Sequence, residues 1–190
     1  MDIIKDIQYT WVMFMKYKLV KDMFPEYLEE TNIVVENDRI TIYFSSKRKE
    51  CHCPSCNTPS TKKSTYFTRR LQDLNIIEKP LFLEIRLAKY RCENPECRTK
   101  IFSESIEDFA GPKARRTNRL NKMLTNFALT ENAEAASRKC SSININVSGD
   151  TLLRLSKKWE PDIDKSSIRA IGIDDFVFKK NIANTNYPKD

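Results

Sequence analysis

Hydrophobic and polar residues alternate along several segments in the first half of the chain. The clearest case is residues 81–91, where Leu81, Leu83, Ile85 and Leu87 would share one face. Strict alternation of this kind is typical of a strand with one buried and one exposed face. Residues 65–74, which precede this segment, provide a partner run. The pattern therefore predicts a β-ribbon built from the two segments.

The first part of the chain is predicted to form a helix and a β-hairpin. Apolar residues recur at near-helical spacing within residues 1–30, which indicates an amphipathic helix packed on the body of the protein. Two β-rich runs follow, at 33–35 and 40–44, with a turn at Asn37 and Asp38 between them. We assign both elements to an N-terminal region, residues 1–47.

Helical periodicity replaces alternation in residues 111–159. The first predicted helix has apolar residues at i, i+3, i+4 and i+7, namely Leu120, Met123, Leu124 and Phe127. A second, shorter helix is expected from Glu131 to about Cys140, with Cys140 as a buried thiol. Ser148 suits the N-cap of a third helix, whose apolar side would include Leu152, Leu155 and Trp159. The whole chain is therefore expected to have an α+β fold.

Composition narrows the classes of partner. The chain has 190 residues, 40% of them hydrophobic, and a net charge of +7 with a pI of about 9.1. A basic balance of this size favours a polyanionic partner, either nucleic acid or an anionic membrane surface. Its three glycines argue against a glycine-rich phosphate-binding loop. No apolar run approaches the roughly 20 residues that span a bilayer, and no signal peptide is apparent, so we expect no membrane-spanning segment and a cytoplasmic protein.

Two close pairs of cysteines suggest a metal site. Cys53 and Cys56 are separated by two residues, and Cys92 and Cys97 by four. A tight Cys-x-x-Cys turn directs two thiolates to one side of an ion, and a second pair completes a tetrahedron. Zn²⁺ favours this arrangement, and structural zinc sites are closed by four Cys or His ligands. The sequence predicts a structural Zn²⁺ site within a zinc ribbon, residues 48–107.

Neighbouring residues support this interpretation and leave one choice open. Pro54 preorganises the first turn, and Asn57 tolerates the left-handed conformation that such turns need. Disulfides or free thiols are the alternative, although cytosolic cysteine pairs are more often metal or redox sites. Cys51 or His52 could replace one of the four ligands. We prefer Cys53 because it alone makes the Cys-Pro-x-Cys turn.

The three helices of residues 111–159 carry many basic residues, as a helix-turn-helix DNA reader does. In that geometry the last helix enters the major groove, and nearby Lys and Arg side chains hold phosphates. Thr151 and Arg154 are the candidates for contacts with base edges. The full set of predicted DNA-binding residues is Arg115, Arg116, Arg119, Thr151, Arg154, Lys157 and Lys158. The alternative is a three-helix unit that binds protein or merely solvates a charged face.

Residues 168–190 contain an apolar strand with two acids in its middle, Asp174 and Asp175. A carboxylate on a central strand is costly unless it binds a metal or finds partners. The alternative is a strand end with a turn at these two residues.

Several motifs in order carry a resemblance to a known family. They are the Cys-Pro-x-Cys pair, the strand Tyr90-Arg91-Cys92, the second pair running into residues 100–104, the basic helices, and residues 171–176, which read Ile-Gly-Ile-Asp-Asp-Phe. Together these motifs resemble the front portion of a bacterial insertion-sequence transposase. The branch is the one with an N-terminal zinc ribbon, a helix-turn-helix and a DDE-type catalytic domain of ribonuclease-H fold. The resemblance spans residues 33–180.

The resemblance implies a role for Asp174 as the first metal-binding acid of the catalytic triad, with Asp175 as the alternative. Such enzymes use two divalent metals held by carboxylates, so Mg²⁺ is expected only in a full-length parent. A complete catalytic domain needs further strands and two further acids, and the sequence stops after the first strand. We therefore expect a truncated N-terminal fragment in which Asp174 is vestigial and strand transfer does not occur.

The resemblance also implies a bacterial, nucleoid-associated protein with no membrane partner. Its partner would be double-stranded DNA at the terminal inverted repeats of a transposon. A homodimer is left open. The alternative function is a zinc-ribbon and helix-turn-helix transcription regulator, or a protein adaptor.

Overall fold

The computed structural model of the protein describes residues 22–160 and residue 166. The chain divides into two compact units, Met1–Trp159 and Glu160–Asp190, and the elements given below belong to the first. The amphipathic helix was predicted within residues 1–30, and residues 1–21 of that segment lie outside the described residues. The strand predicted in residues 168–190, with Asp174 and Asp175, also lies outside them.

The described chain has an α+β fold, as predicted. Its seven strands are β1 (Leu28–Val35), β2 (Ile40–Ser46), β3 (Cys51–His52), β4 (Pro59–Ser60), β5 (Lys63–Ile76), β6 (Lys79–Arg91) and β7 (Ile101–Ser103). Five strands form one sheet in the order β1-β2-β6-β5, with β7 paired to the end of β6. β3 and β4 form a separate small hairpin. No helix of residues 22–160 is long and apolar enough to cross a membrane.

Both predicted strand pairs are confirmed. β1 pairs with β2 in antiparallel register across the turn at Asn37 and Asp38. β5 and β6 form the expected antiparallel ribbon, in which Leu71 lies opposite Leu83.

The sequence analysis did not anticipate that β2 also pairs with β6, in parallel. Ile40 lies opposite Leu81, and the register continues as far as Ser45 and Arg86. This pairing joins residues that we assigned to two regions, 1–47 and 48–107, in a single sheet. Parallel neighbours require a crossover connection, which here is formed by β3, β4 and β5.

The alternation in β6 places one face of the sheet in the main hydrophobic core. Leu81, Leu83, Ile85 and Leu87 are completely buried on that face. Burying a side chain of this size contributes about 1.5–3 kcal/mol. The rest of this core consists of Phe24, Leu28, Ile42, Phe44, Leu71, Ile106, Phe109 and Ala110.

Three helices follow, and we number them α1 (Asn118–Thr130), α2 (Ala133–Ser142) and α3 (Gly149–Ser156). The predicted N-cap at Ser148 is confirmed, since its side chain accepts a hydrogen bond from the backbone N–H of Thr151. The predicted start of the second helix at Glu131 is wrong. Asn132 caps α2, and the backbone N–H of Glu131 instead donates to Phe127 at the end of α1.

The helices enclose a second core. The thiol of Cys140 is buried there, as predicted. Trp159 was expected on the apolar side of the last helix but lies beyond its end and is 48% exposed, because α3 stops at Ser156. The buried members of this core are Leu120, Leu124, Ala136, Cys140, Ile145, Val147 and Leu152.

A buried carboxylate joins α1 to the sheet. Asp73 of β5 accepts hydrogen bonds from the Thr117 hydroxyl at 2.6 Å and from Nε of Arg119 at 2.8 Å. Arg119 also donates to the backbone oxygen of Met23 at 3.0 Å, and its guanidinium lies 5.1 Å from the ring centroid of Phe24. The first turn of α1 is therefore fixed to both the sheet and the segment that precedes it.

Candidate metal centre

The first cysteine pair lies in the short turn between β3 and β4. The backbone N–H of Cys53 donates to Thr58 at 2.9 Å, and that of Asn57 donates back to Cys53 at 2.8 Å. Asn57 has φ of 56°, the left-handed conformation predicted for it. Asn and Asp adopt this conformation more readily than other non-glycine residues. This turn brings Cys53 and Cys56 to the same side.

The second pair spans the loop between β6 and β7. The backbone N–H of Cys97 donates to the carbonyl of Asn94 at 3.2 Å, and the Asn94 side chain accepts from Glu96 at 3.0 Å. At the base of the loop, the backbone N–H of Cys92 donates to Lys100 at 3.0 Å. The two extra residues between these cysteines are thus accommodated by a wider loop that Asn94 holds together.

Hydrogen bonds also connect the two turns. The buried Ser60 donates through its hydroxyl to the carbonyl of Arg91 at 2.6 Å, and the Arg91 backbone N–H donates to Lys62 at 2.9 Å. Lys62 also pairs with Glu93 at 3.0 Å on the surface. The β3–β4 hairpin is therefore attached to the end of β6, next to Cys92.

The four sulfur atoms converge on a common centre. Cys53 and Cys97 are 3.9 Å apart, Cys56 and Cys92 are 3.5 Å apart, and all four sulfurs lie within 4.8 Å of one another. A tetrahedral zinc ion with Zn–S bonds of about 2.3 Å requires sulfurs about 3.8 Å apart. The four cysteines therefore fit a structural Zn²⁺, and four thiolates leave no open position for catalysis.

Cys51 and His52 are not part of this group. Both lie in β3, His52 with an exposed side chain. The pKa of the Cys51 thiol is raised, chiefly by burial. The grouping of the four sulfurs therefore favours Cys53 over Cys51 and His52 as the ligand.

The surroundings affect the individual thiols differently. Hydrogen bonds from the hydroxyl and the backbone N–H of Thr58 lower the pKa of Cys56 to about 6. Desolvation raises the pKa of Cys92 to about 12. A coordinating thiol is deprotonated by its cation, so a bound Zn²⁺ would convert both groups to thiolates.

The apolar support of the site is small. Cys53 and Cys97 pack against Ala88, Tyr90 and Phe102. The rings of Tyr90 and Phe102 are stacked with centroids 5.9 Å apart, and the Tyr90 hydroxyl donates to the carbonyl of Arg48 at 3.0 Å. A cluster of this size cannot order the ribbon by burial alone, so the metal has a structural role.

Several of the predicted DNA-binding residues are exposed, and others are engaged inside the protein. Arg115, Arg154, Lys157 and Lys158 are exposed. Thr151 is partly exposed, and its hydroxyl lies 3.0 Å from that of Ser148.

Arg116 and Arg119 have partners within the protein. Arg116 donates to the carbonyl of Asn146 at 3.1 Å, and burial lowers its pKa. Arg119 is bound to Asp73 as described above. DNA contacts by these two arginines stay a prediction.

The sequence analysis missed Leu153, which is 46% exposed beside Arg154 on α3. The sequence could have indicated this exposure, because Leu153 does not share the helical spacing of the apolar residues Leu152 and Leu155.

Comparison with known proteins supports the metal centre. Residues 49–99, about a quarter of the chain, match the family described as the zinc-finger of transposase IS204/IS1001/IS1096/IS1165. The matched segment contains all four sulfur ligands. No curated protein and no solved structure matches the chain. The segment is therefore similar to a transposase zinc ribbon, and such a ribbon suggests a DNA-binding region.

Proposed function

We propose that residues 22–160 form the DNA-binding region of an insertion-sequence transposase and that they recognise the terminal inverted repeats of its element. The observation that carries the proposal is the four-sulfur site in the segment that matches a transposase zinc finger. The net charge of +7 provides the general attraction to DNA.

In this proposal α1, α2 and α3 act as a helix-turn-helix. The side chains of α3 that do not face the second core include Thr151, Leu153 and Arg154, and Lys157 follows directly after the helix. A recognition helix presents its N-terminal residues to base edges in the major groove. We assign Thr151 and Arg154 to base contacts, whereas Arg115, Lys157 and Lys158 would bind phosphates.

The two roles predict different losses of affinity. Arg154→Ala should cost about 1–3 kcal/mol on terminal-repeat DNA, with relaxed preference at one base pair, because a base contact is lost. Lys158→Ala is the matched control, four residues further along the chain and beyond the end of α3. It should weaken binding to terminal-repeat and random DNA equally and lower the salt slope by about 1, because a phosphate contact is lost. Titrations of the zinc-loaded full chain by fluorescence anisotropy measure both quantities.

Equal losses on terminal-repeat and random DNA for Arg154→Ala would remove this residue from base recognition. A chain that binds neither DNA, or binds without dependence on salt, would contradict the proposal and favour the protein-adaptor function. Preference for an unrelated operator would favour a transcription regulator.

Homodimer formation stays open, and two further expectations stay predictions: the absence of strand transfer and a vestigial role for Asp174. The last concerns a residue outside the described part of the chain. Incubation of the purified protein with terminal-repeat DNA and Mg²⁺ tests strand transfer directly, and any cleaved or joined product would contradict that expectation.

A further inference from the structure

The face of the sheet opposite the main core is uncovered within the described part of the chain. We call it the open face and define it as alternate residues of three neighbouring strands: 41–45 of β2, 66–72 of β5 and 82–86 of β6. The register sets Tyr43, Glu84 and Arg70 side by side, with Thr68 and Arg86 in the next row. None of these positions is buried, whereas the alternating positions Leu81 to Leu87 on the other face are fully buried.

The composition of the open face differs from that of a face that is merely solvated. Eight of its ten residues are Ser, Thr, Tyr, Gln or Arg, and none is Lys. Arginine and these hydroxyl and amide side chains are the groups that proteins use to contact DNA phosphates. Leu, Ile, Val and Met are absent from these ten positions.

The charge on this face is positive and partly preorganised. Its single acid, Glu84, pairs with Arg70 at 3.0 Å. The guanidinium of Arg86 lies 4.3 Å from the ring centroid of Tyr66, and none of the ion pairs of the described residues involves Arg86. A guanidinium stacked on an aromatic ring keeps its planar donors directed outward, a geometry suited to phosphate.

The open face is continuous with the zinc ribbon. Ala88 and Tyr90 continue the same face of β6 beyond Arg86, and both pack in the cluster that contains Cys53 and Cys97. The ribbon therefore lies on this side of the sheet, and a duplex held against the ribbon would extend along the open face.

We propose that the open face binds the phosphate backbone of duplex DNA through Arg86, Arg70 and the neighbouring hydroxyl groups. The inference rests on the proposed function, since it extends the DNA contact of that region from the ribbon and α3 to the sheet. It assigns the sheet to affinity and leaves sequence preference to α3.

The test compares Arg86→Gln with Lys89→Gln in the zinc-loaded full chain. Both changes remove one positive charge from β6, but Lys89 lies on the opposite side, where its ammonium is near the ring of Phe67. The probe is a labelled duplex, in terminal-repeat and in random sequence, titrated over a range of salt concentrations. For Arg86→Gln we expect weaker binding by the same factor on both duplexes, and a salt slope lower by about 1 because one phosphate contact is lost. Lys89→Gln should leave the slope unchanged.

Glu84→Gln provides a test of opposite sign, since removal of the acid frees Arg70 and should tighten binding to both duplexes. Equal salt slopes for Arg86→Gln and Lys89→Gln would overturn the proposal. A lowered unfolding midpoint for Arg86→Gln would also overturn it, because Arg86 would then contribute to the stability of the fold. A change in sedimentation of Arg86→Gln would indicate self-association and also overturn it. If the unmodified chain binds DNA while the sheet variants behave like it, this inference fails and the proposed function stands.

Discussion

Cys53→Ala is expected to abolish zinc binding and the ordered structure of the ribbon. Cys53 is 1% exposed, and its sulfur lies 3.9 Å from that of Cys97. Three remaining thiolates cannot close a tetrahedral site, and structural zinc contributes about 10–16 kcal/mol in comparable small domains. We expect one zinc ion per chain before the change and a strongly reduced content after it. Metal analysis of the reduced protein, together with hydrogen exchange over residues 51–103, measures the outcome.

Cys51→Ala is the matched control, because Cys51 lies two residues away and outside the sulfur group. It should retain one zinc ion and the exchange protection of the ribbon. Removing zinc from the unmodified chain with a chelator should reproduce the exchange pattern of Cys53→Ala. Full zinc content in Cys53→Ala, or its loss in Cys51→Ala, would show that the ligand set is wrong.

Local patterns in the sequence were sufficient to predict the four long strands and the four cysteines that the fold brings together. Alternation identifies β6 because its period follows directly from strand geometry. The spacing of Cys53 and Cys56 identifies a metal-binding turn, because both residues lie in one short turn and their proximity does not depend on distant parts of the chain. The second pair required only that a β-ribbon return the chain, and β5 and β6 do so.

Contacts between distant residues could not be predicted in this way. Alternation shows that β6 has an apolar face but not that β2 lies parallel beside it, since many neighbours satisfy the same pattern. The open face is a second example. Residues such as Tyr43 and Phe82 occur both on covered and on uncovered faces of sheets, so their identity does not show whether another element packs on them.

The role of Arg119 was also hidden, although one sign of it was present. Asp73 falls in the same alternating set as Leu71, on the face that becomes buried. A carboxylate on an apolar face requires a partner, and that signal could have been read. The partner itself is 46 residues away in the chain, so only the fold identifies it. Arg119 was assigned to DNA binding with the other basic residues near the predicted helix, because the sequence alone does not show which of them form ion pairs within the protein.

The ion pair between Asp73 and Arg119 should contribute strongly to the stability of the fold. Asp73→Ala should lower the free energy of unfolding by about 3 kcal/mol, because it leaves a largely buried guanidinium without its carboxylate. The Asp73 side chain is fully buried, and that of Arg119 is 33% exposed. Urea unfolding of the zinc-loaded chain gives the difference. Arg39→Ala, which removes an exposed ion pair with Asp38, should leave the midpoint unchanged.

A double variant distinguishes the loss of the ion pair itself from the cost of leaving the Arg119 charge without a partner. Combining Asp73→Ala with Arg119→Met removes both charges without enlarging either side chain, so that no buried charge is left without its partner. We expect the double variant to be more stable than Asp73→Ala, since no uncompensated charge remains. If Asp73→Ala unfolds at the same urea concentration as the unmodified chain, the carboxylate does not attach α1 to the sheet. Arg119 would then be free for the phosphate contact that its position in the basic cluster first indicated.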